Sequence, residues 1–198
     1  MGGKALVLTG GWRTTWAMRP LRLLALLFLL GTAMTAEAPP RLLDTAITAI
    51  DGKPYALSQH AGKVVLFVNV ASKCGLTPQY AGLEALHQRY KDRGLVVIGV
   101  PANEFGAQEP GTNAEIQTFC STKFNVTFPM MGKIVVKGAG IHPLYQQLVA
   151  GSGGGEIEWN FAKIIVGRDG KVAARLHPKV APDSPELQQA VEKALGAP

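Results

Sequence analysis

Apolar and polar residues succeed one another along this chain in blocks whose length and period read alternately as strands and helices. Val64, Val65, Leu66, Phe67 and Val68 form a run of five apolar residues, three of them β-branched, which suits a strand buried on both faces. The period then changes. Tyr80, Leu83, Leu86 and Tyr90 recur at three- and four-residue steps, so 78–92 is predicted to be helical. Residues 95–100 are again continuously apolar and read as a second buried strand. Thr112 followed by Glu115 is a capping box that opens a helix over 113–124, with Ile116, Phe119 and Cys120 on its inner face.

Later segments are shorter. Residues 133–136 read as a brief strand and 142–150 as a short helix, followed by a flexible glycine-rich loop at 151–155 that lacks a phosphate-binding pattern. Two Asp-Gly pairs, Asp51-Gly52 and Asp169-Gly170, each sit between strand-like segments, 46–50 with 54–57 and 161–166 with 172–176. Both are hairpin signals. Ser184 caps a last helix with Pro185 at its first position and Leu187, Val191 and Leu195 as its stripe. A hairpin, a βαβ unit and a ββα end describe an α/β chain with a thioredoxin-like fold: a mixed β-sheet flanked by helices, with an N-terminal β-hairpin extension. No internal repeat or inter-domain linker interrupts it.

The N-terminus follows other rules. Residues 23–34 are apolar except for Gly31 and Thr32, and Arg19 and Arg22 precede them. A basic flank, a short apolar run and then small residues read as a secretory signal peptide over residues 1–38, for which Met18 makes a more ordinary start than Met1. The run is shorter than the roughly 20 residues that span a bilayer. The expected mature domain is 39–198, exported and periplasmic. Removal of residues 1–38 takes away four basic residues and one acidic residue, so the net charge of +6 falls to +3. The basic balance therefore owes much to the leader, and no basic run with interleaved aromatics supports nucleic-acid binding. Two cysteines 46 positions apart and four histidines show no ligand spacing for zinc, and neither a metal nor another cofactor is expected.

Cys74 carries the chemistry. It lies in Asn-Val-Ala-Ser-Lys-Cys-Gly, in the turn between the first buried strand and the helix that follows. Unpaired N–H groups and the helix dipole favour an anion there, and Lys73 pushes the same way. A free thiol is only a few per cent ionised at neutral pH, and such a site favours the thiolate. Cys74 is thus read as a nucleophile; the bland alternative is an inert buried cysteine.

The segment 69–75 resembles the active-site segment of the glutathione peroxidase family, in its cysteine rather than selenocysteine form. Three more segments match in order: Asn103-Glu104-Phe105-Gly106-Ala107-Gln108-Glu109-Pro110-Gly111, Phe119-Cys120 through Phe128-Pro129, and Trp159-Asn160-Phe161. The resemblance runs from about 43 to 195. It implies a thiol peroxidase that reduces hydrogen peroxide and organic hydroperoxides, with Cys74, Gln108, Trp159 and Asn160 as its catalytic tetrad. Gln108, Trp159 and Asn160 would supply neutral donors, since a carboxylate beside the sulfur would raise its pKa. Read alone, Gln108 suits a solvated loop, Trp159 a core position and Asn160 a turn. Two departures stand out: Ala107 where glycine is more usual, and Ala102-Asn103-Glu104-Phe105 where the family often has Cys-Asn-Gln-Phe.

The resemblance also makes Cys120 a resolving cysteine, although its place on an apolar helical face fits a packed core thiol. The link 137–158 is too short for the long insertion common in selenium-containing members, which points to a monomer recycled by a thioredoxin-like protein or by glutathione. Two other classes remain open from the residues alone. One is a disulfide oxidoreductase, although Cys74-Gly75-Leu76-Thr77 lacks the second thiol of that chemistry. The other is a non-catalytic exported domain with a structural Cys74–Cys120 disulfide.

Overall fold

The computed structural model describes residues 41–196. The signal-peptide reading of residues 1–38 and the alternative start at Met18 fall outside the described residues. A short antiparallel hairpin comes first, β1 (Ile47–Thr48) with β2 (Pro54–Tyr55). Then come β3 (Val64–Val70), α1 (Gln79–Tyr90), β4 (Leu95–Pro101), α2 (Asn113–Phe124), α3 (Pro143–Gly151), β5 (Lys163–Val166), β6 (Val172–Leu176) and α4 (Pro185–Leu195). The four-stranded sheet has the order β4-β3-β5-β6. β3 runs parallel to β4 and antiparallel to β5, and β5 pairs antiparallel with β6. This is the thioredoxin-like arrangement that the pattern of elements predicts.

The side-chain alternation of β3 divides the core in two. Val64, Leu66, Val68 and Val70 pack with Tyr80, Leu83 and Tyr90 of α1, Ile116 and Cys120 of α2, and Leu187 and Val191 of α4. Val65 and Phe67 point the other way, toward Ile98 of β4 and Leu144, Tyr145 and Leu148 of α3. Both faces of β3 are therefore covered, which is why it reads as a continuous apolar run rather than an alternating one. Thr112 and Glu115 form the anticipated capping box on α2. Ser184 caps α4, its hydroxyl accepting from the Leu187 N–H at 3.3 Å.

One expected element is absent. Residues 133–136 are not a strand, because their backbone donors are claimed by two side chains and by the last carbonyl of β4 rather than by a continuous ladder. The Lys133 N–H donates to Asn113 Oδ1 at 3.0 Å, the Ile134 N–H to the Pro101 carbonyl at 3.2 Å, and the Val136 N–H to the Glu104 carboxylate at 3.0 Å. The pairing falls just upstream, where Met130 bridges Gly99 and Met131 bridges Ala49. Gly99 makes room there: a Cβ on it would overlap the Met130 sulfur, which would have to move. The N-terminal hairpin is also shorter than its apolar segments, two residues on each arm.

Candidate active site

β3 ends at Val70, and the chain turns tightly through 71–77 before α1 begins at Gln79. Thr77 organises that turn. Its hydroxyl donates to the Ala71 carbonyl at 2.8 Å and accepts the Cys74 N–H at 3.0 Å, while its own N–H donates to the Cys74 carbonyl at 3.0 Å. The Cys74 side chain is nearly buried, and its Sγ accepts the Leu76 N–H at 3.3 Å. The helix itself starts five residues after Cys74, so the donor aimed at sulfur belongs to the turn rather than to the first turn of α1.

Gln108 is joined to that turn, its carbonyl accepting the Lys73 N–H at 3.0 Å. It lies on a loop shaped by two successive left-handed residues, Gly106 at φ 64° and Ala107 at φ 52°. Asn103 fixes the far side of the loop by accepting the Glu109 N–H at 2.8 Å. Asn160, fully buried, donates its side-chain amide to Gln108 Oε1 at 2.9 Å. The Trp159 ring packs on Phe105 with centroids 5.7 Å apart, and a Cβ on Gly106 would touch both Gln108 and Trp159 at 3.7–3.8 Å. Gln108, Trp159 and Asn160 therefore meet, tied to the Cys74 turn through Lys73. Trp159 is not core, being 41% exposed, and Asn160 does lie in a turn but is fully buried there.

Asn69 holds this arrangement from the centre of the sheet. Its side-chain amide donates to the Trp159 carbonyl at 3.0 Å, and its carbonyl accepts the Phe161 N–H at 2.6 Å. Asn160 is thus clamped on both sides by one residue of β3. In the sequence Asn69 stands out only as the first residue of the Cys74 motif. The signal was there, an amide inside the otherwise apolar run Val64–Val70, fully buried in the fold.

Cys120 lies on α2, 2% exposed, and burial pushes its thiol up to about 11. The Tyr80 hydroxyl works against that shift and the Glu109 carboxylate adds to it. The Tyr80 hydroxyl is near enough to act on the thiol but makes no hydrogen bond of ordinary geometry. Both cysteines are free thiols, so the structural disulfide considered above is not present. Between the Cys74 turn and α2 lies a cleft of about 430 Å³, walled by Ser72, Lys73, Glu109, Ile116 and Phe119. Glu109 is 1% exposed, and both its carboxylate oxygens lack a partner of ordinary geometry. Its pKa is raised, chiefly by burial, against the pull of Ser72, Lys133 and Lys73. No cluster of His, Cys, Asp and Glu suited to a metal ion occurs among the described residues.

Chemically, the site offers a sulfur with a backbone donor, and a group of three neutral polar side chains whose loop is tied to the turn of that sulfur through Lys73. Comparison with known proteins points the same way. Residues 42–149 match the model of the family described as glutathione peroxidase. Hydroperoxy fatty acid reductase Gpx2 of Synechocystis sp. (strain ATCC 27184 / PCC 6803 / Kazusa) is 55% identical over 154 residues, covering 78% of this chain and 99% of that protein. Thioredoxin/glutathione peroxidase BtuE of Escherichia coli (strain K12) is 44% identical, covering 78% and 97%. Among solved structures, that of Trgpx in its apo form superposes with a TM-score of 0.66 at 37% identity, covering 81% of this chain and 99% of that one.

Proposed function

This chain belongs to the glutathione peroxidase family and is a thiol peroxidase, and we propose that Cys74 is the residue that meets the peroxide. The thiolate attacks one peroxide oxygen and the O–O bond breaks. Sulfur keeps that oxygen as a sulfenic acid, and the alkoxide or hydroxide leaves and is protonated. Gln108, Trp159 and Asn160 serve as neutral donors to the sulfur and to the departing oxygen, where charge develops. The observation that carries this reading is the meeting of Gln108, from one loop, with Trp159 and Asn160, from another, with Lys73 tying Gln108 to the turn of Cys74.

Cys120 then attacks the sulfenic sulfur; an S–S bond forms, the S–O bond breaks and water leaves. A thioredoxin-like protein or glutathione returns both thiols, a choice consistent with the name of the Escherichia coli relative. Organic hydroperoxides join hydrogen peroxide as substrates, in line with the name of the Synechocystis relative. The enzyme works as a monomer in the periplasm after export, with residues 1–38 as leader. A disulfide oxidoreductase role is disfavoured because Thr77 occupies the place of a second thiol and its hydroxyl is spent on Ala71.

The decisive experiment measures single-turnover oxidation of the purified chain by hydrogen peroxide and by an alkyl hydroperoxide, with and without Cys74→Ser. Reactivity should vanish in the variant, and a sulfenic acid trap should mark Cys74. Retained second-order reactivity in the serine variant would overturn the assignment. Thioredoxin and glutathione recycling are compared in the same assay. Export is tested by fractionation: a periplasmic product beginning after Thr35 is expected, and an intact leader found only in the cytoplasm would refute it.

A further inference from the structure

β5 begins with a cation in the core. Lys163 has no exposed surface, and it pairs in the sheet with Val68 on one side and Leu176 on the other. Burying an ammonium is costly unless each of its protons finds an acceptor. Here all three do: Gln79 Oε1 at 2.7 Å, the Phe161 carbonyl at 2.8 Å and the Pro178 carbonyl at 3.1 Å. The Gln79 amide also donates to the Pro178 carbonyl at 3.0 Å. These acceptors lie on three different segments: the first residue of α1, the approach to β5 and the turn after β6.

Two of those segments lead directly to the site. Phe161 follows Asn160 and is held at φ 68°, a left-handed conformation that a bulky residue adopts only under constraint. The constraint comes from both sides, its N–H bonded to Asn69 and its carbonyl to Lys163. Gln79 lies three residues beyond Leu76, whose carbonyl accepts the Gln79 N–H at 2.9 Å and whose own N–H reaches Cys74 Sγ. One ammonium thus holds the peptide after Asn160 and the end of the turn that carries Cys74.

We infer that Lys163 is a positioning residue that keeps the Asn160 amide and the Leu76 N–H in register with Cys74. This rests on the peroxidase reading above, with Cys74 as nucleophile. The role needs three protons on the nitrogen, because a neutral amine can serve only two of the three acceptors. The groups facing Lys163 from α1, from the Phe161 approach and from the turn after β6 are all neutral: Gln79 and two carbonyls. His177, next to Pro178, accepts the Lys179 N–H through Nδ1. Burial alone pulls the Lys163 pKa down to about 8. The linkage is opposite in sign to the proposed loss of reactivity. A lysine whose folded pKa is depressed makes the fold more stable as pH rises from about 8 to its ordinary 10.5, because the unfolded chain then holds a proton that the folded one lacks. A fall in reactivity over that range therefore cannot come from unfolding, and it reports a change of geometry at the site.

The test uses the purified full chain and the variants Lys163→Met and Lys163→Gln between pH 6.5 and 10. Single-turnover oxidation of Cys74 by hydrogen peroxide is followed beside thermal unfolding. The Trp159 indole and Asn160 side-chain amide resonances are followed in a Cys74→Ser background, where ionisation of that thiol cannot contribute. Expected in the otherwise unchanged chain is a tenfold or so loss of rate through a step near pH 8, with no fall in melting temperature. Both resonances should titrate with the same midpoint, and both variants should lack the step. Resonances that stay fixed from pH 7 to 10, or Lys163→Met reacting at the unsubstituted rate, would overturn the inference. Should the unsubstituted chain prove unreactive at Cys74, the peroxidase reading falls, while the resonances still decide whether Lys163 positions Asn160.

Discussion

Asn160 donates its side-chain amide to the Gln108 side-chain oxygen at 2.9 Å across 52 positions of sequence. The bond commits the Gln108 oxygen and leaves the Gln108 NH₂ as the end available to a substrate. Neither residue should therefore act alone. Gln108→Ala and Asn160→Ala are each expected to slow peroxide reduction by about 10²-fold, the usual cost of one oxyanion-type donor. The double variant should lose much less than the product, since each single change already disables the pair. Strictly multiplicative losses would show that the two amides work independently.

Trp159 presents its ring at 41% exposure against Phe105, an unusual place for a residue retained only for packing. Trp159→Phe keeps the ring contact and drops the N–H donor. The expected result is a loss of about 10²-fold in the oxidation rate of Cys74 with little change in melting temperature. A change below about twofold would leave the indole as packing alone.

Ala107 occupies the left-handed region at φ 52°, directly after Gly106 at φ 64°. A side chain costs about 1–2 kcal/mol in that conformation, and part of the relief on removing it is offset by the freer unfolded chain. Ala107→Gly should stabilise the protein by about 0.5–1 kcal/mol, or roughly 2 °C in melting temperature. A destabilised variant would mean that the loop holds this geometry without strain.

The fold was legible wherever local chemistry and tertiary packing agree. The run Val64–Val70, the helical stripe of α1, the Thr112–Glu115 cap and the Ser184-Pro185 start all appear where the pattern placed them. The pattern failed at 133–136, where β-prone residues spend their donors on Asn113, Pro101 and Glu104, partners that no local rule reveals. The place of Cys74, in the turn between β3 and α1, was readable from the pattern. Gln108, Trp159 and Asn160 were not readable individually, because each has an ordinary local explanation and only the fold brings them together. Asn69 and Lys163 were visible as polar residues inside apolar strands, but their use depends on contacts from 90 and 84 positions away.

Glu109 should make stability depend on pH in the direction opposite to that of a paired carboxylate. Its pKa is raised in the fold by burial, so the folded chain keeps a proton that the unfolded chain releases above the ordinary carboxyl value of about 4.3. Its contribution is therefore present at low pH and lost as pH rises through the folded value. Glu109→Gln, which cannot ionise, should raise the melting temperature more at pH 7 than at pH 4. An equal effect at both pH values would place the carboxyl in a compensated environment.

The Cys74–Cys120 bond is expected to be transient, and α2 is the element that must give way to form it. Cys120 is 2% exposed on the α2 face it shares with Ile116, while Cys74 lies in the turn before α1. A disulfide needs Cα atoms within about 7 Å and its own side-chain geometry, and a thiol held on the buried face of a docked helix is expected to meet that by local opening. The N-terminal end of α2 is locked by its capping box, with the Thr112 N–H and hydroxyl both held by the Glu115 carboxylate at 2.7 and 2.9 Å. The other end closes on Asn125 at φ 51°, held through bonds to the Cys120 and Ser121 carbonyls. Opening should therefore start at the C-terminal side and carry Cys120 with it. Hydrogen exchange on reduced and oxidised protein should show lost protection over amides 115–125, greatest after Cys120, with far-UV circular dichroism reporting the same helix loss. The oxidised form should gain none of the roughly 2–4 kcal/mol that a structural bond confers, and mild reductant should open it. Equal protection in both states, with a higher melting temperature when oxidised, would make the bond structural. Undiminished turnover by Cys120→Ser with thioredoxin would separately remove the resolving role.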